Sequence, residues 1–426
     1  MIYWGILFVF LLSANAALAT AKPDDDVSNS KATRRVCTVQ PGGSEAIDDA
    51  PAIIQAFEQC GYGGTVVFLN TTYYVNSVMN TTGLADSEVD LRGTLLWGTN
   101  ITYWLSHSLP VGYQNQSTAW LLGGDNIRVD GHGYGTLNGN GNVWYSFVHG
   151  RSNYPRRPHA LTVWGATNSV FQGLRFIRSQ MWTMSIIYSH NTVFDSIYVN
   201  NTSTGGSPSC NSHITFRNWI VDNGDDSISI KANSTDITIT NCTFYNGLGI
   251  AIGSIGQYKD VFETVQRVKA EDTQYHNTLH AVYFKTWTGE QVGYPPNGGG
   301  GGFGFASDMT FADLHIQHTR GPPISISQCT TFSGTAGNCT SSKFELSDLS
   351  FHHIEGTSST AVVASLQCSA VKPCRNIVIT DADIITLSSN GTSAAAAQYL
   401  CGNVIGTKGF NCTGPVCVGA SATGGC

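Results

Sequence analysis

The stretch Asp222-Asn223-Gly224-Asp225-Asp226-Ser227-Ile228-Ser229-Ile230-Lys231 sets two neighbouring carboxylates after a glycine turn and ahead of an alternating strand. Two acids this close cannot both ionise freely, so one pKa rises and the other falls. A carboxyl that keeps its proton can hand it to a leaving oxygen, while an ionised one orients water. Hydrolysis of a glycosidic bond needs that division. A solvated turn uses the same residue types, so the pair gains meaning only from what holds it.

Other reactive side chains carry less. His280 lies close before Tyr283 and could enter a site, although packing explains it better; His132 reads as structural. Trp182 and Trp287 are candidates for the wall of a groove, with core packing as the competing explanation. Asp195 and Asp222 are further acids nearby, the latter read as a turn residue.

The elements that must position these groups repeat. Asn168-Ser-Val-Phe-Gln-Gly-Leu-Arg-Phe, Asn191-Thr-Val-Phe-Asp-Ser-Ile-Tyr-Val, His213-Ile-Thr-Phe-Arg-Asn-Trp-Ile-Val and Asp236-Ile-Thr-Ile-Thr-Asn-Cys-Thr-Phe resemble one another. Their leading apolar residues, Val170, Val193, Ile214 and Ile237, fall 23, 21 and 23 residues apart. A strand-bearing repeat of this length means a solenoid, each coil stacking its short strands on the coil before. The expected fold is an all-β solenoid of stacked coils. One helical pattern, Ala46 to Cys60, is expected to cap its N-terminal end. The glycine run Gly298 to Gly302 lacks the Lys and helix of a phosphate loop.

Of 426 residues, 12% are charged and the net charge is −7. That excludes a basic nucleic-acid footprint. Residues Ile6 to Leu12 form a short apolar core followed by Ala14-Asn-Ala16 and Ala17-Leu-Ala19, a secretory leader over residues 1–21. The run is too short to span a membrane. Residues 22–426 are expected to be one domain, secreted and extracellular, working as a monomer without cofactor or metal. Twelve cysteines in an exported chain read as disulfides. Short separations favour Cys37 with Cys60, Cys329 with Cys339, and Cys368 with Cys374; Cys210 with Cys242 is expected across neighbouring coils. Pairing among Cys401, Cys412, Cys417 and Cys426 is open. Glycosylation sequons stand at Asn70, Asn80, Asn100, Asn115, Asn200, Asn201, Asn233, Asn241, Asn338, Asn390 and Asn411.

Around the aspartate pair the chain resembles glycoside hydrolase family 28, the polygalacturonases and their relatives. The likeness runs roughly from Cys37 to Phe410. It is carried by Gly133-Tyr-Gly135-Thr-Leu-Asn138-Gly139-Asn-Gly141-Asn-Val-Trp144, Arg157-Pro158, Ser179-Gln-Met-Trp182, Asn201-Thr202-Ser203, Asp225-Asp226, Gly247-Leu248-Gly249-Ile-Ala-Ile-Gly253-Ser254 and Tyr283-Phe284-Lys285. The resemblance implies a right-handed parallel β-helix and inverting hydrolysis of pectin. By position it makes Asp225 the general acid, Asp226 a water-activating carboxylate and Lys285 a substrate-binding cation.

Three positions depart from the pattern. The family usually has Asp, His and Arg where this chain has Ser203, Leu248 and Tyr283. An Arg offers a uronate a bidentate, charge-assisted fork. Leu248 offers apolar surface, and Tyr283 is expected to add a stacking face, a better match to a 6-deoxy sugar. These losses point to removal of terminal α-L-rhamnose from rhamnogalacturonan. The stretch Tyr294 to Phe303 is longer than a bare coil demands and could wall off one end of a groove, with a surface loop as the competing reading, and the segment Gly253 to Asp260 resembles exo-acting members. The alternatives are an exo-polygalacturonase releasing galacturonate and, more remotely, a calcium-dependent pectate lyase or an inactive sugar-binding solenoid.

Overall fold

Short apolar bursts broken by Asn, Asp and Gly fold into strands that bend at every break. The computed structural model describes residues 34–426 apart from 113, 152, 202–205, 292–297, 388–392, 417 and 421–426. The leader expected over 1–21, Ser203, Asn390, Cys417 and Cys426 lie outside the described residues. Among those described, 32 strands join one continuous sheet in which almost every neighbouring pair is parallel. The chain from Arg35 to Cys426 is one compact unit, a parallel β-helix.

Stacking aligns like residues. Phe171, Phe194, Phe216, Ile239, Ala270, Phe311, Phe351 and Ile379 form one inward column, each in register with the next. The rings of Phe171 and Phe194 stack at 5.0 Å, and those of Phe311 and Phe351 at 5.1 Å. Removing such a buried ring costs about 3–5 kcal/mol. The register corrects the repeat read from sequence. Val193 pairs with Thr215, not Ile214, so Val170 and Val193 lie on the outer face while Ile214 and Ile237 lie inside. The strand period of two makes a one-residue slip a change of face.

Turns are held by side-chain ladders, among them two built on Asp125 and Asp195. Asn191 donates to Asn168 at 2.8 Å, and Asn168 to Asp125 at 2.9 Å; Asn241 donates to Asn218, and Asn218 to Asp195, each at 2.7 Å. These asparagines sit at φ between 48° and 58°, the left-handed region that Asn tolerates better than most residues.

Helix α1 (Ala50–Cys60) covers the N-terminal end, with Phe57 packed 6.4 Å from Phe68 and 6.2 Å from Trp120. It starts four residues later than the pattern predicts. The Asp49 carboxylate accepts from Gly42 N and Tyr74 N, and Asp48 from Asn76 N, which ties the preceding segment into a loop. Ile47 is accordingly exposed. Pro51 then suits the first helical turn, where its missing N–H costs nothing. Two short helices, α2 (Ile101–His107) and α3 (Asn142–Val148), were not evident from periodicity.

Disulfides join Cys37–Cys60, Cys329–Cys339, Cys368–Cys374 and Cys401–Cys412. Cys210 and Cys242 are free thiols, which corrects the expected bridge. The residue one coil above Cys210 is near Asn233, because Ser212 pairs with Thr235, whereas Thr243 stacks on Ile220. The two cysteines therefore sit at different corners of the stack.

Candidate active site

One face of the stack is a run of parallel strands: Leu161–Trp164, Met184–Ile187, Gly206–Ser209, Asp226–Ile230, Gly249–Ile255, Val282–Trp287, Ile324–Thr330 and Val362–Gln367. Ile228 and Ile230 enter the core, so Ser227, Ser229 and Lys231 point outward with the aspartate pair at the strand's start. The turn before them is fixed by Asn223, whose amide donates to the carbonyls of Asp225 (3.0 Å) and Asp226 (2.8 Å). Gly247 on the next coil must be glycine, since a Cβ there would lie 2.2 Å from Asn223 Oδ1.

The two carboxylates have different surroundings. Asp226 is 3% exposed. Tyr283 donates its hydroxyl to Asp226 Oδ1, and Lys285 Nζ lies 3.2 Å and 3.0 Å from the two oxygens. Asp225 remains partly open, and its Oδ1 accepts only from Asp226 N at 2.8 Å among the hydrogen bonds described. Burial, and then the negative charge of Asp226, push the Asp225 pKa above the ordinary carboxylate range, against the weaker pull of Lys285 and Lys231. One acid is thus biased to keep its proton while its neighbour is held between a phenol and an ammonium.

Lys231 is a member of this site that the sequence reading left without a role. It is 4% exposed, donates to Gly253 O at 2.7 Å and stands 5.6 Å from the centre of the Trp182 ring. Burial, reinforced by Lys285, brings its pKa down to about 7. The signal was present: Lys231 has the parity of Ser229 along an alternating strand, opposite to Ile228 and Ile230. Glu263, buried and accepting from Gly256 N at 2.7 Å, is close enough to Lys231 to oppose that fall.

The remaining expected residues divide. Leu248 is half-buried next to the pair, its N–H donating to Asp225 O at 2.9 Å. Tyr283 has no exposed surface, which corrects the expectation of an open stacking face. Its ring backs onto His280 at 5.2 Å and its hydroxyl is committed to Asp226. His280 supports Tyr283 from behind. Its Nδ1 donates to Pro322 O at 2.6 Å, and burial lowers its pKa to about 4. Trp182 and Trp287 are each only 6% exposed, and Trp182 stacks on His159 at 4.7 Å. His132 pairs with Asp90 away from this face. Asp195 and Asp222 accept from Asn218 and Asn246 as ladder residues. Asn201 is buried, and its amide donates to Thr183 Oγ1; this corrects its reading as a glycan acceptor, because a glycosylated nitrogen needs open space. The sequons at Asn70, Asn80, Asn100, Asn115, Asn200, Asn233, Asn241, Asn338 and Asn411 are exposed.

A parallel β-helix with an acid pair on one outer sheet face, one carboxyl with its pKa raised and one charge-paired, defines a class of carbohydrate-cleaving hydrolases. Residues 73–405 match Glycosyl hydrolases family 28, and the chain belongs to that family as a glycoside hydrolase. It is similar to Alpha-L-rhamnosidase rgxB of Aspergillus niger, with 60% identity over 99% of this chain and 98% of the relative. A putative galacturan 1,4-alpha-galacturonidase A of Aspergillus flavus is 34% identical over 88% of this chain and 93% of its own length. Among solved structures, endo-xylogalacturonan hydrolase from Aspergillus tubingensis superposes with a TM-score of 0.72 at 25% identity, covering 90% of this chain and 100% of the other.

Proposed function

We propose that this protein is a secreted exo-glycosidase that removes terminal α-L-rhamnose from rhamnogalacturonan with inversion. The observation that carries the proposal is the unequal treatment of the two acids. Asp225 is the partly open carboxyl whose pKa is raised by burial and by the charge of Asp226. It is assigned as the general acid that protonates the leaving glycosidic oxygen. Asp226, paired with Lys285 and accepting from Tyr283, is assigned as the carboxylate that orients water on the other side of the sugar. Rhamnose departs as its anomeric carbon takes the water's hydroxyl, and the water's proton passes to Asp226.

Specificity follows from what replaces the usual charges. Leu248 presents apolar surface beside Asp225, suited to the methyl group of a 6-deoxy sugar, and no guanidinium stands at Tyr283 to draw a carboxylate into that position. The adjoining galacturonate of the substrate would meet Lys231 or Lys285. The 60% identity to a named α-L-rhamnosidase supports this reading.

The second reading, release of terminal galacturonate, is favoured by the similarity to galacturonidases and by the two lysines at the site. Incubating the secreted protein with rhamnogalacturonan oligomers carrying non-reducing rhamnose, and separately with polygalacturonate, decides between them. Rhamnose released as the β-anomer is the expected product; galacturonate release alone would sink the proposal.

A further inference from the structure

Round the corner from the acid face, three phenylalanines break the polar character of the outer wall. Phe262 and Phe303 are 53% and 39% exposed, and Phe305 is half-buried. Phe262, Phe303 and Lys343 stand in one column on successive coils, and Thr264, Phe305 and Glu345 in the next. The Phe262 ring lies 5.4 Å from Phe303 and 6.0 Å from Phe305. The three phenylalanines, Lys343 and Glu345 line a groove of roughly 280 Å³ together with Ser307, Ser347 and Lys372. It crosses three strands, about 10 Å at the usual strand spacing.

An apolar patch rimmed by polar groups marks an interaction surface more often than chance, and charge selects the occupant here. Lys372 pairs with Glu345 at 3.2 Å, whereas Lys343 makes no ion pair among the described residues. The groove is therefore net positive on a chain of net charge −7. Exposed ring faces suit the C–H faces of sugars, and the spare ammonium of Lys343 suits a carboxylate.

We infer that this groove is a second carbohydrate site, separate from the acid face, that holds an internal stretch of a polyuronate chain. A uronate polymer matches both features at once: flat sugar faces for Phe262 and Phe303, and a carboxylate for Lys343. The site would tether the enzyme to polymeric substrate. It does not depend on which terminal sugar is released.

The test uses the full-length protein carrying Asp225→Asn, so that the polymer is not consumed, run in native gels containing polygalacturonate or, as the neutral control, dextran. Retardation by polygalacturonate and not by dextran is expected. Adding Phe262→Ala with Phe303→Ala, or Lys343→Glu alone, should reduce it at least fourfold, with thermal melting unchanged. With Asp225 intact, the phenylalanine pair should cleave short oligosaccharides at the parental rate but polymer several-fold more slowly. Unchanged retardation in the variants, or equal retardation by dextran, overturns the inference. Retardation that appears only after the sugar on Asn233 is removed would mean that this glycan fills the groove, because Asn233 Oδ1 accepts from Thr264 N beside it. A concentration-dependent dimer abolished by the phenylalanine changes would assign the groove to a second copy. Loss of all oligosaccharide cleavage by the parent protein would instead count against the proposed function and leave the retardation result standing.

Discussion

Lys285 Nζ meets Asp226 Oδ2 at 3.0 Å although the two residues lie on strands two coils apart. Two strand steps separate their backbones by nearly 10 Å, and the intervening strand presents Gly249, Ala251 and Gly253 toward the gap. Gly249 pairs directly with Asp226, and Ala251 and Gly253 lie under Tyr283 and Lys285. Small residues on that middle coil let the phenol and the ammonium reach back to the carboxylate. Larger ones are barred at Gly253, where a Cβ would stand 2.3 Å from Lys285 O.

Asp225→Asn should lower kcat by about 10²- to 10⁴-fold, the usual share of a general acid. The basic limb of the pH–rate profile should vanish with it. Because the folded-state pKa of Asp225 is raised, the native state holds its proton more tightly than the unfolded chain. Stability from this group is complete below the unfolded value near 4 and is lost as pH rises through the raised value. Asn cannot ionise, so the variant should melt higher than the parent near neutral pH and close to it at pH 3, by calorimetry.

Tyr283→Phe separates two roles. If the ring were a sugar platform, Phe would serve as well. Since the hydroxyl donates to Asp226, its loss should lower kcat by about tenfold, the equivalent of one hydrogen bond to a charged group, with KM little altered. Steady-state kinetics on rhamnogalacturonan oligomers reads the split, and unchanged kcat would return Tyr283 to packing alone.

Lys231→Met probes the buried ammonium. The folded-state pKa is depressed to about 7 from 10.5, so the native state binds this proton less tightly than the unfolded chain. The group costs stability at low pH, and the cost disappears as pH rises from about 7 toward 10.5. Methionine should therefore stabilise the protein at pH 5 and change little at pH 10. KM for oligomers with a galacturonate next to the scissile bond should rise several-fold if Lys231 faces that carboxylate.

Leu248→Ala removes apolar surface beside Asp225. A pocket that recognises a methyl group should lose about 1–3 kcal/mol of discrimination, seen as a tenfold or larger fall in kcat/KM for rhamnose release. An equal fall in any residual galacturonate release would show that Leu248 packs and does not select.

The sequence by itself carried the repeat, the solenoid and the aspartate pair, because strand period, turn residues and local motifs are properties of neighbouring residues; the three altered positions showed only against the family pattern that the chain resembles. It misplaced the start of helix α1 because the acids Asp48 and Asp49 were already spent on backbone N–H groups 25 or more residues away. It slipped the register between Val193 and Ile214, since a 22-residue coil and a 23-residue coil look alike until their strands pair. Only the tertiary structure decided that Tyr283 turns inward to Asp226, that Lys231 joins the site, and that Cys210 and Cys242 stand apart. Each of those outcomes depends on which residues three-dimensional stacking sets side by side, and in a β-helix that is fixed by the length of every intervening turn.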